Sequence, residues 1–208
     1  MNILIADDHA IVRKGISQLI REEFAFAEIT EATNSHEVIE KIKGKIWDII
    51  LLDISMPGRN GVDILKQLRA DGIKTPILML SMHPEEQYAI RVLKAGASGY
   101  LSKESATEEL ISAINKVLSG KKYITFSIAE KLLETSINPT KGTIHETLSD
   151  REMQVLEFIA KGKSVSEIAF EISLSVNTIS TYRTRILEKL KLSNNAEIMR
   201  YAIDNNLL

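Results

Sequence analysis

The chain has 208 residues, a net charge of −2 and no cysteine. That length allows one or two domains with a full hydrophobic core, and the lack of cysteine excludes disulfides and thiolate chemistry. No apolar run nears the roughly 20 residues that span a bilayer, and Asp7 and Asp8 follow the start with no basic stretch before them, so a signal peptide is not expected and a cytoplasmic location is.

In chain order, Asn2–Ala6, Glu28–Ala32, Ile49–Asp53, Ile77–Ser81 and 99–101 are predicted strands. Their largely continuous apolar runs suit a parallel sheet covered on both faces. Helical periodicity fills the gaps. Successive apolar faces are Ile11, Ile16, Leu19 and Ile20; Val38, Ile39 and Ile42; Val62, Leu65 and Leu68; Ile90, Val92 and Leu93; and Leu110, Ile111, Ile114, Val117 and Leu118. The alternation predicts an α/β doubly wound parallel five-stranded domain over 1–120. Next come a short helix at 127–135 and a linker at 136–146, marked by Pro139 and Gly142. Residues 147–208 hold no central strand and are predicted all-α. Ser149…Glu152, Ser164…Glu167 and Asn194…Glu197 carry the capping-box spacing. Gly162 ends the first of these helices, and 164–172 joins Val176–Leu190 through the short turn 173–175.

Ligands of doubly wound sheets lie beyond the carboxyl ends of the strands. Asp7 and Asp8 follow the first strand, Asp53 ends the third, Ser81 ends the fourth and Lys103 follows the fifth. Carboxylates gathered in one crevice repel unless a hard divalent cation such as Mg²⁺ joins them. A metal, a carboxylate nucleophile, a hydroxyl and a lysine make a phosphoryl-transfer set. Taken singly, an aspartate at a strand end is an ordinary turn former.

Residues 1–120 resemble the receiver domain of two-component response regulators, the CheY-like fold. The matching residues are Asp7-Asp8, Asp53-Ile54-Ser55-Met56-Pro57-Gly58, Gly61, Ser81, Lys94-Ala95-Gly96-Ala97 and Gly99-Tyr100-Leu101-Ser102-Lys103. The resemblance implies that Asp53 accepts a phosphoryl group from a sensor histidine kinase. It also implies that Asp7, Asp8, Asp53 and the Ser55 carbonyl hold Mg²⁺, that Ser81 and Lys103 contact the phosphoryl group, and that Tyr100 changes rotamer with Ser81. Two positions depart from the usual pattern: Glu104 replaces a frequent proline, and Met82 replaces a frequent small residue that would leave the approach to Asp53 wider.

Residues 1–120 carry −3 and 121–208 carry +1, with +3 concentrated in 176–191. Within Val176–Leu190, Ile179, Ile186, Leu187 and Leu190 make an apolar stripe, and Ser180, Thr181, Arg183, Thr184 and Arg185 fall largely outside it. Hydroxyl and guanidinium groups reach base edges and phosphates, although periodicity alone leaves a solvated helix open. Residues 147–208 resemble the LuxR-type helix-turn-helix of the NarL/FixJ response regulators, through Leu148-Ser149-Asp150-Arg151-Glu152, Val155-Leu156, Gly162-Lys163-Ser164, Glu167-Ile168-Ala169, Ser175-Val176-Asn177-Thr178-Ile179 and Arg183…Ile186…Lys189-Leu190. Ser180 departs, standing where many members carry lysine. The two resemblances together imply a phosphorylation-controlled transcription regulator rather than an enzyme, with no membrane partner, binding double-stranded DNA as a homodimer. Arg183, Arg185, Lys189 and Lys191 are then expected on phosphates, and Ser180, Thr181 and Thr184 nearer the bases.

Two alternatives stand beside this reading. One is a DNA-binding regulator that works without phosphorylation. The other is an aspartyl-phosphate phosphatase, against which the adjacency of Asp7 and Asp8 and the third-strand position of Asp53 argue. His9, His36, His83 and His145 show no ligand spacing and are expected at surfaces or turns, with His9 a candidate for the site mouth. Trp47, Met153 and Met199 are expected in packing. Of Ile198, Met199, Ala202, Ile203 and Leu207, some are expected to cover the core and the rest to form the dimer contact.

Overall fold

The computed structural model describes the chain except 57, 84, 138–143, 206 and 208, and of 86, 87, 134–137 and 146 only the backbone. The middle of the expected linker, with Pro139 and Gly142, therefore lies outside the described residues, as does Pro57. Two compact units emerge, Met1–Glu130 and Lys131–Leu208.

In the first unit, β1 (Asn2–Ala6), β2 (Glu28–Ala32), β3 (Ile49–Asp53), β4 (Ile77–Ser81) and β5 (Gly99–Ser102) form one parallel sheet in the order β2-β1-β3-β4-β5. Every residue of β3 and β4 is buried, as their unbroken apolar runs require. The edge strand β2, with two glutamates in EITEA, buries fully only Ala32. Helices α1 (Ala10–Glu23), α2 (Ser35–Gly44), α3 (Gly61–Ala70), α4 (Glu85–Lys94) and α5 (Ala106–Leu118) alternate with the strands. Ile16 and Ile20 of α1 and Leu110, Ala113, Ile114 and Val117 of α5 cover one sheet face. Ile11 does not join them. It is 87 % exposed, and Val12 takes the inward place. The helical period is right there, but the buried arc is rotated by one residue. In α4 the fully buried positions are Tyr88, Ala89 and Val92, while Ile90 and Leu93 are only half-buried. Trp47 packs in the core, its indole N–H donating to the Lys41 carbonyl at 3.3 Å.

Past α5 the chain returns to the sheet. Tyr123 bridges Gly99 in parallel, and its carbonyl accepts from the Tyr100 amide at 3.3 Å. Then α6 (Phe126–Ile137) begins.

The second unit includes the end of α6, a 3-10 turn at Ile144–Thr147, α7 (Asp150–Ala160), α8 (Val165–Glu171), α9 (Val176–Leu190) and α10 (Asn195–Asp204). Ser149 with Glu152 and Ser164 with Glu167 form complete capping boxes, each serine accepting from the glutamate amide while the carboxylate accepts from the serine amide. At Asn194 only half of the box forms. The asparagine accepts from Glu197 N, but the Glu197 carboxylate takes its backbone bond from Ser193. Gly162 closes α7 at φ 82°, a left-handed position that a side chain disfavours. Ile179, Ile186 and Leu190 of α9 pack with Val155, Leu156, Ile168, Ile198, Ala202 and Leu207 as this unit's buried apolar residues. Met153 is buried as expected, but Met199 is not: it stands 37 % exposed, and Ile203 61 %.

Candidate functional site

Five strand-end residues converge at the carboxyl edge of the first unit's sheet. The Lys103 ammonium lies 2.7 Å from Asp7 Oδ2 and 2.9 Å from Asp53 Oδ2, and all three side chains are at most 3 % exposed. Asp7 Oδ1 accepts from the His9 amide at 2.8 Å, and Asp53 Oδ1 from the Ser55 amide at 3.2 Å. Ser81, fully buried, accepts from the His83 amide at 3.0 Å. Lys103 itself is fixed where its amide donates to the Ser81 carbonyl at 2.8 Å. Gly61 opens α3 directly behind the site. A Cβ there would lie 2.0 Å from the Asp53 carbonyl oxygen, so only glycine lets the helix start this close to Asp53.

Burial pushes the Asp53 carboxyl up to about 7; Lys103 pulls it back and Asp7 adds to the rise. Burial works against the Lys103 charge too, but Asp53 and Asp7 outweigh it and hold the ammonium above its ordinary range. Asp7 Oδ2, Asp8 Oδ1 and Asp53 Oδ2 are buried. Among the described residues they meet the Lys103 ammonium and, at 2.8 Å from Asp8 Oδ1, His9 Nδ1. One donor atom from each of Asp7, Asp8, His9 and Asp53 falls within 4.8 Å of the others. Ligands on opposite sides of one ion are separated by about twice a metal–oxygen bond of about 2.1 Å, so the cluster has nearly the right span for a single divalent cation.

Two histidines stand near the site. His9, expected to be structural though a candidate for the site mouth, contributes a ring nitrogen to the acidic cluster. His83, expected at a surface or turn, is a junction. Its amide meets Ser81, its carbonyl accepts from the Tyr100 hydroxyl at 2.5 Å, its ring lies 3.2 Å from Ser55 Oγ, and it stacks on Tyr88 at 5.0 Å. Tyr100 is 2 % exposed and turned inward. Met82 is 60 % exposed and Glu104 is also at the surface.

On α9 the Ser175 cap starts the helix, accepting from Thr178 N. Ser180, Thr181, Thr184, Arg185 and Lys191 are exposed, as is Asn177 in the first turn. The Thr181 and Thr184 hydroxyls donate back to the carbonyls of Asn177 and Ser180 at 2.9 and 3.0 Å, which leaves their oxygens able to accept. Arg183 is half-buried, with Nε donating to Asn195 Oδ1 at 2.6 Å. Lys189 faces its own unit, 2.6 Å from Glu152 Oε2 and 3.2 Å from the Thr147 carbonyl.

The family model for the response regulator receiver domain matches residues 3–115, and the one for bacterial regulatory proteins of the luxR family matches 146–202. The response regulator UvrY of Escherichia coli is 34 % identical over the whole chain and 95 % of its own length. The oxygen regulatory protein NreC of Staphylococcus carnosus is 34 % identical over the whole chain and 99 % of its length. Among solved structures, RcsB from Salmonella enterica serovar Typhimurium, bound to promoter rprA with the phosphomimetic beryllium fluoride, is similar at a TM-score of 0.68 and 26 % identity over 97 % of each chain.

Proposed function

Because the chain belongs to the response regulators that join a receiver domain to a LuxR-family regulatory domain, we propose that phosphorylation of Asp53 controls its binding to double-stranded DNA and thereby transcription. The donor is a sensor histidine kinase, the setting is the cytoplasm, and the DNA-bound form is a homodimer. No helix among the described residues is long and apolar enough to cross a membrane. The proposed division is a receiver over 1–120, a helix and linker over 121–146 and a DNA-binding domain over 147–208.

The observation that carries the reading is the buried Asp53 carboxylate held 2.9 Å from Lys103, with oxygens of Asp7 and Asp8 gathered in the same crevice. Three clustered carboxylates facing one lysine charge fit Mg²⁺, held by Asp7, Asp8, Asp53 and the Ser55 carbonyl, with His9 at the rim. Bound there, the ion supplies charge neutralisation for phosphoryl oxygens. An Asp53 oxygen forms the new P–O bond as the P–N bond of the kinase phosphohistidine breaks, and the departing imidazole keeps the electron pair. Lys103 moves with the charge onto the phosphoryl oxygens. The Ser81 hydroxyl releases the His83 amide to donate to the phosphoryl group, and Tyr100, bonded to the same residue, responds.

On DNA, Arg183, Arg185 and Lys191 take phosphates. Asn177, Ser180, Thr181 and Thr184 face base edges from the first turns of a helix laid in the major groove. Lys189 serves the fold first. The relatives' names as regulators favour this reading over a phosphatase, and the complete acidic set favours it over a phosphorylation-independent regulator.

Incubation with Mg²⁺ and a small phosphodonor should add one phosphoryl group by intact mass, and Asp53→Ala should abolish the addition. Equal uptake by the Asp53→Ala protein would overturn the assignment.

A further inference from the structure

At the opposite edge of the sheet, beneath the amino ends of β4 and β5, lies a cavity of about 490 Å³ lined by Arg69, Lys74, Lys121 and Lys122. No carboxylate lines it, and none of the four cations has an ion-pair partner among the described residues. Ile73 and Pro76 add partly exposed apolar surface. The size lies in the range of small-molecule sites.

Helices α3, α4 and α5 all end here, and cations at helix C-termini often serve only to neutralise carbonyls. Arg69 and Lys122 do serve that end. Arg69 Nε donates to the Gly96 carbonyl at 2.9 Å and Nη1 to that of Ile73 at 2.6 Å, and Lys122 donates to the Ala97 carbonyl. Three helix ends amount to about half a negative charge each, which leaves most of four full charges uncompensated. Lys74 and Lys121 cap nothing and stand exposed at the rim. Burial lowers the proton affinity of Arg69 and Lys122, and Arg69 lowers that of Lys122 further. Arg69 and Lys122 thus bear a repulsion that an anion would relieve.

We propose that this cavity binds a small polyphosphorylated molecule of the nucleoside di- or triphosphate class, with its phosphates on the four cations and its flat group against Ile73 and Pro76. The site is separate from the acidic crevice at the other end of the same strands, so it stands or falls independently of Asp53 chemistry.

Calorimetric titration of the full-length chain in EDTA with pyrophosphate and with ADP tests the site. Arg69 also holds two loops, so the variant used is the exposed-lysine pair Lys74→Gln/Lys121→Gln. Both ligands are expected to bind one per chain, ADP more tightly, with affinity falling at least about tenfold in the double variant, on the scale of losing charge-assisted contacts. Failure of both to bind would overturn the proposal. So would an equal response to sulfate at matched ionic strength. Loss of binding in Lys103→Ala but not in the lysine pair would place the phosphates in the acidic crevice instead. If neither ligand bound but the lysine pair weakened duplex DNA binding, the surface would be a nucleic-acid contact and not this site.

Discussion

Asp53 is 1 % exposed, and its ionisation is opposed by the fold that positions it. Its carboxyl titrates near 7 in the native state against an ordinary 3.8. Between those values the native chain keeps a proton that the unfolded chain has released. The stabilisation from that retained proton is complete below about pH 4 and is lost as pH rises toward 7. The loss is on the order of a few kcal/mol. Urea unfolding in EDTA at pH 5 and pH 8 should show the wild type losing more stability across this interval than Asp53→Asn. Saturating Mg²⁺ should remove most of the difference at pH 8, since it binds only the native site. Superimposable pH profiles for the two proteins would contradict the electrostatic account. The residues in this balance were legible in the sequence because strand ends in a parallel sheet share one edge. The partners of His9 and His83 were not legible, because they are set by the paths of two loops and neither follows a period.

Within α9, two cations of equal charge have opposite tasks. Lys189 pairs with Glu152, whose side chain is 3 % exposed and also closes the capping box of α7. Burial alone would raise the Glu152 carboxyl, but Lys189 and Ser149 outweigh it and hold it below the usual range. Removing Lys189 leaves that carboxylate unpaired, at a cost of about 1–2 kcal/mol given the half-exposed partner. Arg185 makes no such contact among the described residues. Arg185→Ala should therefore leave the unfolding midpoint unchanged while reducing the salt dependence of DNA binding by about 0.9 in log–log slope. Lys189→Ala should lower the midpoint and leave the slope nearly intact. Thermal unfolding and DNA titrations over a salt series would separate them; the reverse pattern would mean Lys189 is the phosphate contact. Helix positions and two of the three boxes could be read from the sequence, since capping depends on residues three apart. Which basic side chain turns inward could not, because Glu152 lies on a different helix 37 positions away. Likewise, periodicity placed Ile11 and Met199 on apolar faces, but how far a neighbour covers each face depends on tertiary packing.

At the scale of the whole molecule, each unit has its own buried core. The division into an α/β and an all-α part was readable from strand alternation and its cessation. The exposure of apolar residues such as Phe126, Leu133, Met199 and Ile203 was not readable, because in the sequence they look like any others at helical spacing. Met199 and Ile203 lie on one side of α10, whose other side supplies Ile198 and Ala202 to the core. One helix-turn-helix reads few base pairs, and paired copies on half-sites about one turn apart supply the missing specificity. The exposed side of α10 suits that pairing. If the unphosphorylated receiver masks this side or α9, phosphorylation acts only through its different stability in the masked and open states. A fragment spanning 147–208 lacks the mask and should bind operator DNA at least as tightly as the unphosphorylated full-length chain. Ile203→Glu should weaken binding by fragment and phosphorylated full-length chain alike while leaving the fold intact. DNA titration with light scattering on all these proteins reads both effects. A fragment that binds much more weakly than the unphosphorylated whole would eliminate masking and leave dimerisation driven by the receiver as the switch.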